Sequence, residues 1–234
     1  MKKSNPGSSR RGFLKSSGIA IAMAAGLAPL GSHGAEKIGK SSEDISPAED
    51  LMREHGVLAR ALLVYDEISL RIDNGKEFPV DALYETARLI QRFVENYHEK
   101  LEENYLFPRF EKTGRFVDLV KVLLAQHQAG RRLTSQILAL PLKSLTADEK
   151  GRLKLYLGAF CRMYRPHKAR EDTVLFPAFH TLVSAEQLDA LGESFEDKEV
   201  ELFGAGGFEK IVDEVAGIEK RLDIYDLSQF TPRL

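Results

Sequence analysis

Two stretches of this chain pair an imidazole with carboxylates at one fixed spacing. The first reads His98-Glu99-Lys100-Leu101-Glu102-Glu103-Asn104-Tyr105-Leu106-Phe107-Pro108, and the second His167-Lys168-Ala169-Arg170-Glu171-Asp172-Thr173-Val174-Leu175-Phe176-Pro177. On an α-helix, residues four apart differ by about 40° around the axis, so His98 and Glu102 project from one side, as do His167 and Glu171. By the same rule Glu103 falls about 140° from His98 and is expected to face away, with Asp172 its counterpart in the second copy. Imidazole and carboxylate suit iron, manganese or zinc rather than Cu(I). Cys161 is the only cysteine, which excludes an intrachain disulfide and a thiolate cluster, so a metal held here is held by His and carboxylate.

Those residues must be positioned by helices. Ser46-Pro47-Ala48-Glu49 is a capping box that opens a helix carrying Leu51, His55, Leu58, Leu62 and Tyr65 on one stripe, closed by Asp73-Asn74-Gly75. A second helix is expected from Pro79 to Phe107, with Leu83, Ala87, Ile90, Val94, His98, Leu101 and Tyr105 inward and Pro108 disrupting its end. A third, from Phe116 to Leu140, carries Val120, Leu123, Leu124, His127, Thr134 and Leu138 on its apolar face. A fourth starts at the capping box Thr146-Ala147-Asp148-Glu149 and carries Leu153, Leu157, Phe160, Tyr164, His167 and Glu171; Pro166 is expected to kink it immediately before His167. Short connections between four long helices predict an all-α fold, an antiparallel up-down four-helix bundle. Ser184 to Phe203 and Phe208 to Leu222 form a helical C-terminal extension that serves as a lid or as packing, with an irregular tail after it.

One inward histidine is most simply a hydrogen-bonded core residue. Four of them, one per helix, with two carboxylates alongside, are different. Each buried polar group without a partner costs roughly 1 to 3 kcal/mol, and an unpaired carboxylate considerably more. A metal centre satisfies all six. His55 and His98 are 43 residues apart and His127 and His167 are 40 apart, so each half is one helix hairpin of nearly equal length. Two glutamates from different helices can bridge two ions, leaving open positions for water or a small ligand.

His55, His98-x-x-x-Glu102, Leu106-Phe107-Pro108, His127, His167-x-x-x-Glu171 and Leu175-Phe176-Pro177 resemble the hemerythrin-like domain over residues 46–183. The resemblance implies a carboxylate-bridged, non-haem di-iron (Fe) centre in a four-helix bundle. His55, His98, His127 and His167 would be terminal ligands, Glu102 and Glu171 bridges, and dioxygen, nitric oxide or peroxide the small ligand. Oxygen carriers of the family have a second histidine four residues after the first on the third helix, where this chain has Arg131. Water, a tyrosine such as Tyr65 or Tyr164, or an extra acid such as Glu99 must stand in. Those carriers also place the last acid five residues after its histidine, which would select Asp172, whereas the internal repeat selects Glu171. The Glu-x-x-His pair of ferritin-like proteins occurs once, at Glu95 to His98, and has no second copy.

Composition narrows the function further. At 43% apolar residues the chain buries a core, and its formal charge is -2. Residues 1–35 hold five basic residues and no acid, leaving 28 basic against 35 acidic residues in the remainder, a poor match for nucleic acid. Ser9-Arg10-Arg11-Gly12-Phe13-Leu14-Lys15 ahead of the apolar run Gly18 to Leu30 looks like a twin-arginine signal. Its 13-residue apolar run is shorter than the roughly 17 to 25 residues of a permanent span. The expected organisation is a signal at 1–35, a linker at 36–45, the bundle at 46–183 and the extension at 184–234. Export by the twin-arginine translocase to the periplasm, binding or sensing of a small ligand, and no permanent membrane span are expected, with a di-iron oxidase or peroxidase, or an iron scavenger, as alternatives. His180, past Pro177, reads as a surface residue and Cys161 as a small core residue.

Overall fold

A computed structural model of the chain describes residues 45–141 and 145–232, and all regular structure among them is helical. The expected signal at 1–35 and the linker up to residue 44 lie outside the described residues. Helix α1 spans Pro47–Asp73. The Ser46 hydroxyl accepts the Glu49 N–H and the Glu49 carboxylate accepts the Ser46 N–H at 2.8 Å, the reciprocal pair that the sequence predicts. Leu51, His55, Leu58, Leu62 and Tyr65 are all buried along one face.

The second helical rod departs from expectation. It begins as α2 (Val80–Leu89), becomes π-helical over Ile90–His98 (π1), returns to one α-turn at Glu99–Leu101 (α3), and is π-wound again over Glu102–Leu106 (π2). It then continues as α4 (Phe107–Thr113), so Pro108 does not end it; Gly114, at φ +70°, does. Helix α5 spans Val117–Leu138. Helix α6 (Ala147–Arg170) opens on the predicted Thr146 capping box and runs unbroken through Pro166. Its winding changes instead at π3 (Glu171–Leu175), which leads into α7 (Phe176–Phe179).

The matched prolines account for π2 and π3. Proline has no N–H, and its ring clashes with the carbonyl four residues before it. The N–H of Phe107, just before Pro108, bonds to the Glu102 carbonyl, and that of Phe176, just before Pro177, bonds to the Glu171 carbonyl. Both are i→i−5 bonds, the π pattern, and both start at the glutamate of the repeat.

Helix α1 packs against α6, α6 against α5, α5 against α2 and π1, and these against α1, forming a helical bundle. Helices α8 (Ala185–Phe203) and α9 (Gly207–Arg221) follow, α9 lying on both α1 and α2 and α8 on α1. Tyr97 and Tyr105 set their rings edge-on to Phe203 and Phe195, with centroids 5.4 Å apart in both pairs. No helix among the described residues is long and apolar enough to cross a membrane.

One tie between the extension and α1 is Arg60, whose Nε and Nη2 donate to the two oxygens of Glu219 at 2.9 and 2.5 Å. Glu219 is buried, so removing the guanidinium leaves a desolvated carboxylate without its partner. Arg60→Ala is expected to destabilise the protein by about 2 to 3 kcal/mol, the low end because the Arg60 side chain is 27% exposed. A thermal melt should show the midpoint falling by roughly 5 to 10 °C, with the secondary structure at low temperature retained.

Candidate metal centre

The six predicted ligands meet in the core. His55 comes from α1, His98 from the end of π1, Glu102 from the start of π2, His127 from the middle of α5, His167 from α6 and Glu171 from the start of π3. All six are buried, with Glu102, His127 and Glu171 wholly inaccessible. His55, His98 and Glu102 each offer a ligand atom within 4.8 Å of the other two, and so do His127, His167 and Glu171.

The glutamates cross between the halves. Glu102 lies 3.7 Å from His98 Nε2 with Oε1 and 3.4 Å from His127 Nε2 with Oε2. Glu171 Oε2 lies 3.1 Å from His167 Nε2 and 3.4 Å from His55 Nε2. Although these nitrogens are near, none of the four carboxylate oxygens accepts a hydrogen bond. The Nε2 atoms of His127 and His167 stand 3.3 Å apart.

Every imidazole has its other nitrogen engaged from outside. His55 Nδ1 donates to Asp172 at 2.7 Å, His98 Nδ1 to Glu54 at 2.9 Å, His127 Nδ1 to Glu103 at 3.0 Å and His167 Nδ1 to Gln126 at 2.9 Å. An acceptor on Nδ1 keeps the proton there, so a neutral ring turns the Nε2 lone pair inward. The Nε2 atoms of His127 and His167, 3.3 Å apart, either share a proton or turn their lone pairs to a common cation. Oriented imidazoles with held outer nitrogens are the arrangement found around bound metals.

Sequence reasoning missed this outer set. Glu103 and Asp172 do not face away; each reaches the outer nitrogen of a histidine on another helix. The 140° estimate assumed α winding, whereas a π turn brings the residue five on back towards the face that an α-helix gives to the residue four on. Glu54 and Gln126 were also missed. The signal was present, because each immediately precedes the first histidine of its half, giving Glu54-His55 and Gln126-His127.

The rings are walled by the repeat itself. Phe176 stacks on His55 at 5.5 Å and Phe107 on His127 at 5.6 Å, so each Leu-Phe-Pro supplies the ring that covers the other half's histidine. Phe110 and Phe179, three residues further on in each copy, meet at 6.3 Å and close that end. Of the candidates to replace a ligand at Arg131, Tyr164 gives its hydroxyl to Glu99 at 2.6 Å, and the buried Tyr65 hydroxyl has no hydrogen-bond partner. His180 is exposed and Cys161 is buried, as read from the sequence.

The metal-free site carries an unequal charge distribution. Burial, then the neighbouring Glu171 and Glu99, push the Glu102 carboxyl well above its ordinary range. Burial has the same tendency at Glu171, but His167 and His55 outweigh it and hold that carboxyl low. Burial disfavours the His55 cation, yet Asp172 and Glu171 outweigh it and lift the imidazole to about 9. His127 is pushed down to about 4 by burial and by His167, against the pull of Glu103.

The hemerythrin HHE cation-binding domain matches residues 46–179, a span that contains all six of these residues. An uncharacterised protein of Mycobacterium bovis and uncharacterised proteins of two Mycobacterium tuberculosis strains are each 48% identical to this chain over 190 residues, covering 80% of this chain and 74% of their own. No solved structure matches.

Two outcomes are expected from this geometry. Burial favours the protonated form of Glu102, and His55, lifted to about 9, carries a proton at pH 7 that must leave before its Nε2 can bind a cation. Metal binding should therefore release protons and tighten as pH rises towards 9. Calorimetry in buffers of differing ionisation enthalpy measures this directly. Glu103→Gln weakens the acceptor on His127 Nδ1 and is expected to lower metal affinity about 10- to 100-fold while the fold persists, as read by titration of the apo-protein.

Proposed function

Because the chain belongs to the hemerythrin HHE cation-binding domain family, we propose that it is an exported di-iron protein that binds or senses a small ligand such as dioxygen, nitric oxide or peroxide. His55, His98, His127 and His167 would be the terminal ligands and Glu102 and Glu171 would bridge, within an antiparallel up-down four-helix bundle over residues 46–183. One observation carries the metal assignment. Four Nε2 atoms converge with four carboxylate oxygens that accept no hydrogen bond, while every Nδ1 of the four is held by an acceptor outside. An empty polar core of that kind is costly, and the donor set fits iron.

Iron held by these residues would supply a redox-active Lewis acid. The chain's own residues do the rest. Asp172, Glu54, Glu103 and Gln126 fix the four imidazole orientations, so no rotation has to be frozen when the centre fills. Phe107, Phe110, Phe176 and Phe179 keep bulk water from one end of the site. Export through the twin-arginine pathway to the periplasm rests on Arg10-Arg11 and the apolar run behind them, and it would deliver the folded, loaded protein.

Metal analysis of the purified full chain tests the centre. Two irons per chain are expected, with His98→Ala and Glu171→Ala each losing at least one; two irons retained in both variants sinks the assignment. A reversible optical change on adding dioxygen or nitric oxide, with no consumption of a reductant, is the expected sign of binding. Sustained turnover with peroxide and a reductant would make the protein an oxidoreductase instead. Arg10→Lys with Arg11→Lys should abolish appearance of the protein in the periplasm.

A further inference from the structure

The two halves of the centre correspond residue for residue except at one corner. Each half has a Glu or Gln before its first histidine, an acid after its glutamate and a phenylalanine over the opposite ring. The exception surrounds His127. Glu99, next to His98, is buried at 1% exposure and has both oxygens taken. Its Oε1 accepts the Tyr164 hydroxyl at 2.6 Å, and its Oε2 lies 2.6 Å from Arg131 Nη2. The same Nη2 lies 2.7 Å from Glu103 Oε1, the oxygen that receives His127 Nδ1. At the corresponding positions of the other half stand Lys168 in place of Glu99 and Ala59 in place of Arg131, so nothing similar is built there.

Helix α5 is shaped for this corner. A Cβ on Gly130 would stand 2.0 Å from the Tyr164 hydroxyl oxygen and 2.8 Å from two of its ring carbons, so only glycine admits the phenol. Gly130 makes room for one partner of Glu99, and Arg131 is the other. Without the guanidinium, Glu99, Glu103 and His127 would be a further cation site, since each offers a ligand atom within 4.8 Å of the others. The resident cation is a side chain.

We propose that Arg131 and Tyr164 are positioning residues that hold the Glu99 carboxylate out of the coordination sphere on the His127 side, keeping a position there for a small anionic ligand. The proposal rests on the reading of the site as a paired metal centre. A hydrogen bond from Tyr164 and an ion pair with Arg131 fix Glu99, and the guanidinium keeps a positive charge on this side of His127. The side of the centre where oxygen carriers spend an extra histidine is thus left open, and the nearest spare carboxylate is restrained from filling it.

The test uses the iron-loaded full chain with azide as the probe, read by optical titration, and iron per chain measured in the same samples. Tyr164→Phe with Arg131→Met frees Glu99, so azide affinity should fall at least about tenfold with two irons still bound. Adding Glu99→Ala to that pair should recover a large part of the lost azide affinity, short of the wild-type value because the guanidinium is still missing, which a merely structural disturbance would not do. Three results would overturn the proposal: azide affinity unchanged in the double variant, no recovery on adding Glu99→Ala, or loss of an iron on Glu99→Ala alone, which would make Glu99 a ligand. Gly130→Ala displaces the Tyr164 hydroxyl without removing a polar group and must lower azide affinity in the same direction, so the outcome does not depend on one variant folding. A wild-type chain that binds no iron overturns the metal centre itself, a result distinct from each of these.

Discussion

Glu102 and Glu171 each bury a carboxylate with no hydrogen bond to either oxygen, and the rest of the bundle is organised around that liability. Two anions at this depth repel each other and have lost their water, so a protein without a cation to offer would not keep both. The metal-free chain manages the pair by splitting it. Glu171 stays ionised against His55 and His167, and Glu102 is pushed towards its neutral form by burial and by Glu171 itself. Much of the holding of the imidazoles is done from outside the six residues. Asp172, Glu54, Glu103 and Gln126 fix the imidazoles by bonds that need no metal.

The backbone meets the same demand through a change of winding. Glu102 and Glu171 each begin a π segment whose closing bond comes from the phenylalanine before a proline. One short string, Leu-Phe-Pro, therefore does three jobs in each half. Its leucine is core, its phenylalanine covers an imidazole of the opposite half, and its proline denies the α-type bond and favours the wider turn. The wider turn is what lets neighbours in sequence serve one site. Glu102 points inward while Glu103 reaches the outer face of His127, a division that α winding does not provide.

Much of this was legible in the residues and some was not. Helix starts at Ser46, Thr146 and Ser184 were readable because a capping box is a local bargain between residues three apart. The inward stripes were readable because burial follows a 3.6-residue period. All six predicted ligands meet at one place because the repeat fixes their heights on the helices. The π segments were not readable, since i→i−5 bonds leave no periodicity of their own over five residues, and so Glu103 and Asp172 were assigned the wrong direction. Pro108 and Pro166 show the limit of punctuation: both lie within continuous helix, because packing on both sides outweighs one missing donor.

The network around Arg131 follows from the same logic, applied unevenly. On the proposed reading of the centre, α5 carries Arg131 four residues after His127, and its guanidinium pairs with Glu99 and Glu103. Such a cation beside buried acids is stabilising only if the acids remain charged towards it, and Glu103, held at about 2 against the opposing effect of burial by His127, Lys100 and Arg131, meets that condition. The C-terminal extension covers α1 and α2, whereas Arg131 sits on α5 with its side chain 26% exposed. Closure and opening are thus assigned to different sides. The extension packs on the rods that carry His55 and His98, and the position proposed for a small anion lies by His127 on α5.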